Sequence, residues 1–172
     1  MSSIGLRCYK ISVITKSSQE QEILSEISKK VDFYDFLKET ISSDLAKRSK
    51  NDEQQRMFHF SEKKSVEYRT LHGHINYGIY GFESNLIDVN NGKVNYERTT
   101  QDSEEIPLYF QFWIPDNQKI GYAIFQSFQG RSCNTLVLNE IRRHFKDLFK
   151  ETFLRIEKLM PEQLMALDGD KA

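Results

Sequence analysis

Residues 108–125 read LYFQFWIPDNQKIGYAIF, so that two strongly apolar runs flank the polar stretch 115–119. Aromatic and β-branched side chains dominate both runs, which is typical of strands. Pro115, Asp116 and Asn117 are residues that favour turns. The stretch therefore predicts an antiparallel hairpin, and its density of large apolar side chains predicts that this hairpin lies at the centre of a sheet.

Further strands are predicted on either side of this hairpin. Polar and apolar residues alternate over residues 6–14, which is the two-residue period of a half-buried strand. Between residues 57 and 129 several short clusters of aromatic and β-branched residues are separated by glycines. The pair Asn91-Gly92 between two alternating segments predicts a second hairpin with a tight turn.

Helical spacing of apolar residues predicts three helices. The first begins near Ser18, and the second begins after an N-cap at Asp32 and runs to about residue 48. The third is a long helix from about Thr135 to Met160, where Pro161 stops it. This order predicts an α+β fold: a mainly antiparallel sheet with two N-terminal helices and one long C-terminal helix packed on it.

Length and composition fit one folded domain. The chain has 172 residues, of which 38% are hydrophobic and 28% are charged. We expect a single domain over residues 1–160, and a flexible tail or linker over the acidic, glycine-containing residues 161–172.

Net charge and hydropathy narrow the classes of partner that we expect, namely nucleic acids and membranes. The 24 Lys and Arg residues are balanced by 25 Asp and Glu residues, so any nucleic-acid site has to be a local patch. The longest apolar stretch, residues 106–114, is well short of the ~20 residues that a membrane helix needs. Cys8 and Cys133 lie far apart, and no signal-peptide pattern is present. We expect a cytoplasmic protein with free thiols and no contact with a membrane.

No motif for nucleophilic catalysis, nucleotide binding or dinucleotide binding occurs, so no catalytic residue and no cofactor are predicted. Two short patterns leave metal chemistry open. His72 and His74 are two residues apart, which on a strand directs both imidazoles to one face. A third ligand could come from His59, Asp88 or His144, but strand-surface histidines are the favoured interpretation.

The second pattern is Glu62-Lys63-Lys64, with Asp44 or Asp52 upstream. It resembles the layout of metal-dependent nucleases, in which carboxylates hold Mg²⁺ and a lysine positions water. Such sites need the acidic residue on a strand, whereas Asp44 falls in a predicted helix and Asp52 in a predicted loop. A nuclease is therefore the weakest of the alternatives.

The predicted C-terminal helix offers two candidate surfaces. A basic row could follow nucleic-acid phosphates, although acidic residues on the same helix favour a solvated face with intrahelical ion pairs. An aromatic stripe most simply packs on the sheet, and its width leaves room for a homodimer or a second protein. The candidate nucleic-acid residues are Arg131, Arg142, Arg143, Lys146 and Lys150, and the candidate interface residues are Phe145, Phe149, Phe153 and Ile156.

The central region carries a family resemblance. Glycines and aromatic residues of residues 73–81, a hairpin with Asp88 and Arg98, and the segments 107–115 and 121–130 together resemble a broad group of uncharacterised bacterial and prophage proteins. Some members of that group sit among phage-defence genes. The resemblance implies a shared fold core over about residues 73–146, but it brings no catalytic residues with it.

These observations favour a protein that acts by binding. We expect a non-catalytic interaction or regulatory module of a bacterial phage-defence or mobile-element system, with a protein partner or a second copy. One alternative is a DNA- or RNA-binding protein that uses the basic helix face. The other is a metal-dependent nuclease.

Overall fold

One antiparallel sheet organises the residues 3–61 and 65–162 that the computed structural model describes. Eight of the ten strands in these residues form this main sheet, in the order β10-β1-β9-β8-β5-β3-β2, with β4 paired to β5. The strands β6 and β7 form a separate hairpin. The strands are β1 (Ile4–Thr15), β2 (Ser49–Asn51), β3 (Arg56–Phe60), β4 (Ser65–Glu67), β5 (Thr70–Ile79), β6 (Ser84–Ile87), β7 (Val94–Arg98), β8 (Glu104–Trp113), β9 (Gly121–Phe128) and β10 (Thr152–Lys158).

The predicted hairpin of residues 108–125 lies at the centre of the sheet, between β1 and β5. Phe110 stands opposite Phe125 across the β8–β9 pair, and Phe112 stands opposite Ala123. All four side chains are buried, and the rings of Phe112 and Phe125 meet edge to face. Alternation along these strands therefore directs every second residue to one buried face, which we call the inner face.

Two helices cover the inner face: α1 (Phe33–Ser42) and α2 (Asn134–Leu148). Phe33 and Phe36 of α1 both contact the ring of Phe145 on α2, at centroid distances of 6.1 and 5.5 Å. Aromatic pairs of this kind contribute about 1 kcal/mol beyond the burial of their area. The helices are therefore joined to each other as well as to the sheet.

The junction between α1 and the sheet is polar. Asp32 is the N-cap of α1 and accepts a hydrogen bond from the backbone N–H of Tyr34. The same carboxylate accepts two hydrogen bonds of 2.7 Å from the guanidinium of Arg69, which lies in the tight turn between β4 and β5. Arg69 also donates to the carbonyl of Ile114. One side chain thus ties α1 to two parts of the sheet.

The fold class is confirmed as α+β with a mainly antiparallel sheet, but the helices differ from the prediction. In place of the first helix there is only a single 3-10 turn, Leu24–Glu26, because residues 20–22 hydrogen-bond back along the end of β1. The second predicted helix is α1, and it ends at Ser42 rather than near residue 48.

The long C-terminal helix is the main error. Helix α2 ends at Leu148, and Thr152–Lys158 is strand β10, which pairs with β1 over seven residues. Phe149 and Phe153 fit a helical spacing, whereas Leu154 and Ile156 alternate as a strand does, so the sequence is compatible with both periods. Pairing with the open edge of β1 decides in favour of the strand. Of the predicted tail, residues 163–172 lie outside the described residues.

Candidate functional site

The outer face of the sheet, opposite the helices, is apolar at its centre. Antiparallel sheets covered on one face normally carry polar residues on the other. Here the neighbouring strands β8, β9 and β1 instead present Trp113, Tyr122, Ile124, Cys8 and Leu6 outward. Trp113 is 45% exposed and Leu6 is 65% exposed. No helix covers this face within the described residues, so the strands leave an apolar surface open.

This surface contains a groove of about 1040 Å³. Strand residues Cys8, Gln111, Trp113, Tyr122 and Ile124 line it, together with Ile23, Leu159 and most of the loop 115–120 between β8 and β9. Clefts that bind ligands in proteins have volumes of about 300–1,000 Å³ and mainly apolar linings. We call this feature the outer-face groove.

An aromatic pair forms part of the lining. Trp113 stands opposite Tyr122 across the β8–β9 pair, and their rings stack with centroids 5.7 Å apart and an interplanar angle of 20°. Trp113 is the only tryptophan of the chain. Stacked aromatic side chains offer a rigid, flat contact area at little cost in side-chain entropy.

The wall formed by the β8–β9 loop is held in place by hydrogen bonds. The backbone N–H of Leu24 donates to the carbonyl of Gln118 at 2.8 Å, and the backbone N–H of Asn117 donates to the hydroxyl of Ser25 at 3.2 Å. The 3-10 turn Leu24–Glu26 therefore braces the loop from below. The groove is consequently pre-formed rather than dependent on closure of the loop.

Polar groups in the groove are few and mostly amides. Gln111 accepts a hydrogen bond of 3.0 Å from the hydroxyl of Tyr109, and Asn117 and Gln118 bring amide side chains to the lining. Lys119 is the only lining side chain that carries a charge near neutral pH. Partial burial raises the pKa of the Cys8 thiol, so this thiol is neutral there.

A second apolar surface lies on the β6–β7 hairpin. Its large apolar side chains are exposed: Leu86, Ile87, Val89, Val94 and Tyr96. Arg98 anchors the hairpin, because its buried guanidinium donates to the carbonyl of Ile79 and lies over the ring of Phe82. Among the described strands, the two strands of this hairpin are paired only with each other.

The structure does not bring the five predicted nucleic-acid residues into one row of free cations. Arg131 pairs with Glu104 at 2.6 Å, and Arg143 pairs with Glu140 at 2.7 Å, which raises the pKa of Arg143. Arg142 donates to Asn139, and the ammonium of Lys150 donates to the carbonyl of Lys146. Arg142, Lys146 and Lys150 have no acidic partner among the described residues.

The four predicted interface residues are also separated. Phe145 is 1% exposed in the core, and Phe149 packs partly buried against Phe36 and Phe145. Phe153 and Ile156 belong to β10, where the alternation of the strand directs them to opposite faces of the sheet. They therefore do not form one stripe, because the helix that would align them ends before them.

The metal-ligand candidates are distributed as follows. His72 and His74 do share the outer face, and their rings lie 6.4 and 6.0 Å from the ring of Tyr109, measured between centroids. His59 lies near Asn76 and Glu105, and His144 lies near Asp44, so neither joins them. No group of three His, Cys, Asp or Glu residues suited to a metal ion occurs within residues 3–61 and 65–162.

The described residues of the nuclease pattern and the two cysteines do not form a site together. Glu62, Lys63 and Lys64 lie outside the described residues, and Asp52 accepts a hydrogen bond from the hydroxyl of Tyr80. Cys8 and Cys133 are both free thiols. Cys8 lines the outer-face groove, whereas Cys133 is buried beside the first turn of α2.

Comparison with other proteins gives no relative. No protein-family profile matches the chain, and no curated protein or solved structure matches it significantly. Neither helix of the described part is long and apolar enough to cross a membrane.

The outer-face groove is not among the sites predicted from the sequence. The signal was present in residues 108–114, where apolar side chains are nearly continuous instead of alternating. A strand with this pattern is apolar on both faces. The same pattern that predicts a central position in the sheet therefore also indicates an apolar outer face.

Proposed function

We propose that the protein is a non-catalytic binding module that receives an extended, apolar segment of a partner protein in the outer-face groove. The observation that carries the proposal is the apolar outer face of β1, β8 and β9, with a pre-formed groove of about 1040 Å³ upon it. Exposed apolar patches of this kind mark interaction sites in folded proteins.

The lining favours a peptide as the occupant. Side-chain amides such as those of Gln111, Asn117 and Gln118 both donate and accept hydrogen bonds, as a peptide backbone does. The apolar strand residues and the Trp113–Tyr122 pair would hold the side chains of the segment. With Lys119 as its single charge, the lining suits apolar rather than strongly charged segments.

The biological setting is part of the proposal. The resemblance of residues 73–146 to bacterial and prophage proteins supports a regulatory or interaction role in a phage-defence or mobile-element system of the cytoplasm. In that setting, a groove that holds a short segment would connect this protein to another component of the system.

The test is a selection of peptides from a random display library on the full-length protein. We expect enrichment of peptides rich in apolar residues, and their binding should change the emission of Trp113, because the only tryptophan of the chain lies in the groove. The variant Ile124→Ser removes an apolar contact from the groove but keeps the reporter. It should weaken peptide binding about tenfold or more.

The matched control is Val89→Ser, which removes a 92% exposed apolar side chain from the β6–β7 hairpin. This variant should bind the selected peptides as the wild type does. If no peptides are enriched, or if they bind Ile124→Ser as tightly as the wild type, the proposal is wrong. If Val89→Ser loses binding and Ile124→Ser does not, the peptides bind to the β6–β7 hairpin and not to the groove.

Nucleic acid is tested in parallel with a mixed-sequence DNA duplex and a single-stranded RNA at low and moderate salt. The peptide proposal predicts that neither nucleic acid forms a complex through Arg142 and Lys146. A salt-sensitive complex that is lost when both residues are changed to Ala would replace the peptide proposal with the nucleic-acid alternative.

A further inference from the structure

The last strand, β10, forms one edge of the main sheet. Strand β10 pairs with β1 without a bulge over seven residues, and no other described strand adjoins it. It contains neither Pro nor Gly. The opposite edge, β2, has only three residues, Ser49–Asn51. Proteins usually shorten, bend, cover or charge their edge strands to prevent pairing with other chains. Within the described residues β10 is neither short nor bulged nor covered by another strand, and its charged residues Arg155, Glu157 and Lys158 are of both signs.

Hydrogen bonds at its two ends show which backbone groups of β10 are free. The backbone N–H of Lys16 donates to the carbonyl of Glu151 at 2.9 Å, and that of Leu159 donates to the carbonyl of Cys8 at 2.8 Å. Bonded and outward-directed residues alternate along an antiparallel strand. The N–H and C=O groups of Leu154, Ile156 and Lys158 therefore point away from β1, along the free edge.

We propose that this edge binds a second copy of the chain, with the two β10 strands antiparallel about a two-fold axis at Ile156. The outward backbone groups of Ile156 then face those of Ile156 in the second copy, which gives a hydrogen-bonded pair. Leu154 faces Lys158 in the same way. The two main sheets become one continuous sheet, and of the residues that line the outer-face groove, Leu159, which directly follows β10, borders this interface.

Charge complementarity supports this register. With the axis at Ile156, Arg155 lies opposite Glu157 of the second copy, and the pair occurs twice by symmetry. Both positions are non-hydrogen-bonded, where opposing side chains lie closest. Axes at Arg155, Glu157 or Lys158 would each place a residue opposite its own like charge, and an axis at Leu154 would place Glu157 opposite Glu151.

The two charges are available for such pairs. The guanidinium of Arg155 lies 6.0 Å from the ring centre of Phe153, on the same face of β10, and it has no acidic partner among the described residues. Glu157 is half exposed and forms an ion pair of 3.6 Å with the ammonium of Lys10 in the same protomer; exposed pairs of this kind contribute little, so the carboxylate can also face Arg155 of the second copy. An edge of seven residues is smaller than a standard protein interface, so we expect a dimer whose population rises with protein concentration.

The experiment measures the mass of the full chain by light scattering after size exclusion over a concentration series. The wild type should shift from 20.3 kDa towards twice that mass. The charge reversals Arg155→Glu and Glu157→Arg each place like charges opposite each other, so each should raise the dimer dissociation constant about tenfold or more. The control variant Arg142→Glu, which reverses a charge on α2, should show the same mass as the wild type at each concentration.

Complementation keeps the test independent of folding defects. In an equal mixture of the two single variants, every charge at position 155 of one variant again faces an opposite charge at position 157 of the other, so the variants should associate with one another. The double variant should dimerise as the wild type does. The proposal is overturned if the wild type stays at 20.3 kDa up to its solubility limit, or if neither the mixture nor the double variant restores the dimer.

Discussion

The two faces of the central hairpin carry side chains of similar character but meet different surroundings. On the inner face, Phe110, Phe112 and Phe125 are buried beneath α1 and α2. On the outer face, Trp113, Tyr122 and Ile124 line an open groove. Apolar side chains thus stabilise the fold on one face and remain accessible on the other. The following predictions test this division.

The largest effect on folding is expected from Phe110→Ala. This ring is fully buried on the inner face and meets Phe60 edge to face at 4.7 Å. Its removal leaves a cavity that the surrounding β-strands can only partly fill, so the free energy of unfolding should fall by about 3–5 kcal/mol. Urea denaturation followed by circular dichroism measures the change. A loss below about 1 kcal/mol would show that the inner face is not the core.

A smaller effect is expected from Arg69→Met, which cuts the link between α1 and the sheet. Methionine keeps much of the packing but leaves both carboxylate oxygens of Asp32 without the guanidinium that now binds them at 2.7 Å. The free energy of unfolding should fall by about 2 kcal/mol. The control is Arg142→Met, since the hydrogen bond of Arg142 to the side chain of Asn139 stays within one turn of α2. Equal effects of both substitutions would contradict the assigned role of Arg69.

Alkaline pH should lower the free energy of unfolding through the buried Cys133. Burial raises the pKa of Cys133 to about 12, from an ordinary cysteine value of 9.0. The unfolded chain loses this proton first, so unfolding becomes easier as pH rises above 9. The effect amounts to about 1 kcal/mol near pH 10. The wild type and Cys133→Ala should therefore converge in stability between about pH 8 and pH 10, and parallel curves would refute the assignment.

The smallest effect on folding is expected on the outer face. Trp113→Ala removes a 45% exposed ring, so the free energy of unfolding should change by less than about 1 kcal/mol. Binding of selected peptides should nevertheless fall about tenfold or more. Denaturation and titration with a labelled peptide measure the two quantities on the same sample. A large loss of stability would mean that the outer face belongs to the core.

Much of the fold follows from local pattern. The aromatic runs at residues 108–125 predict the central hairpin, and Asn91-Gly92 predicts the β6–β7 hairpin that the structure contains. Asp32 as an N-cap marks the beginning of α1. In each case neighbouring residues along the chain supply the determining interaction, so the sequence alone carries the information.

The C-terminal part could not be predicted in the same way. Residues 149–156 satisfy a helical and a strand period at once, and their partner, β1, begins at Ile4 near the other end of the chain. The candidate site has a similar origin. The groove arises where β1, β8, β9 and the 3-10 turn meet, and its lining residues share no sequence motif.

The position of β1 has a consequence for how the chain folds during synthesis. This strand, Ile4–Thr15, pairs only with β9 and β10 among the described strands, and these are the last two strands along that part of the chain. Its apolar residues therefore leave the ribosome long before either neighbour exists. Such distant pairings slow folding, and β1 remains exposed to wrong partners until residue 158 has been added. Chaperones that shield nascent strands should matter most for this segment.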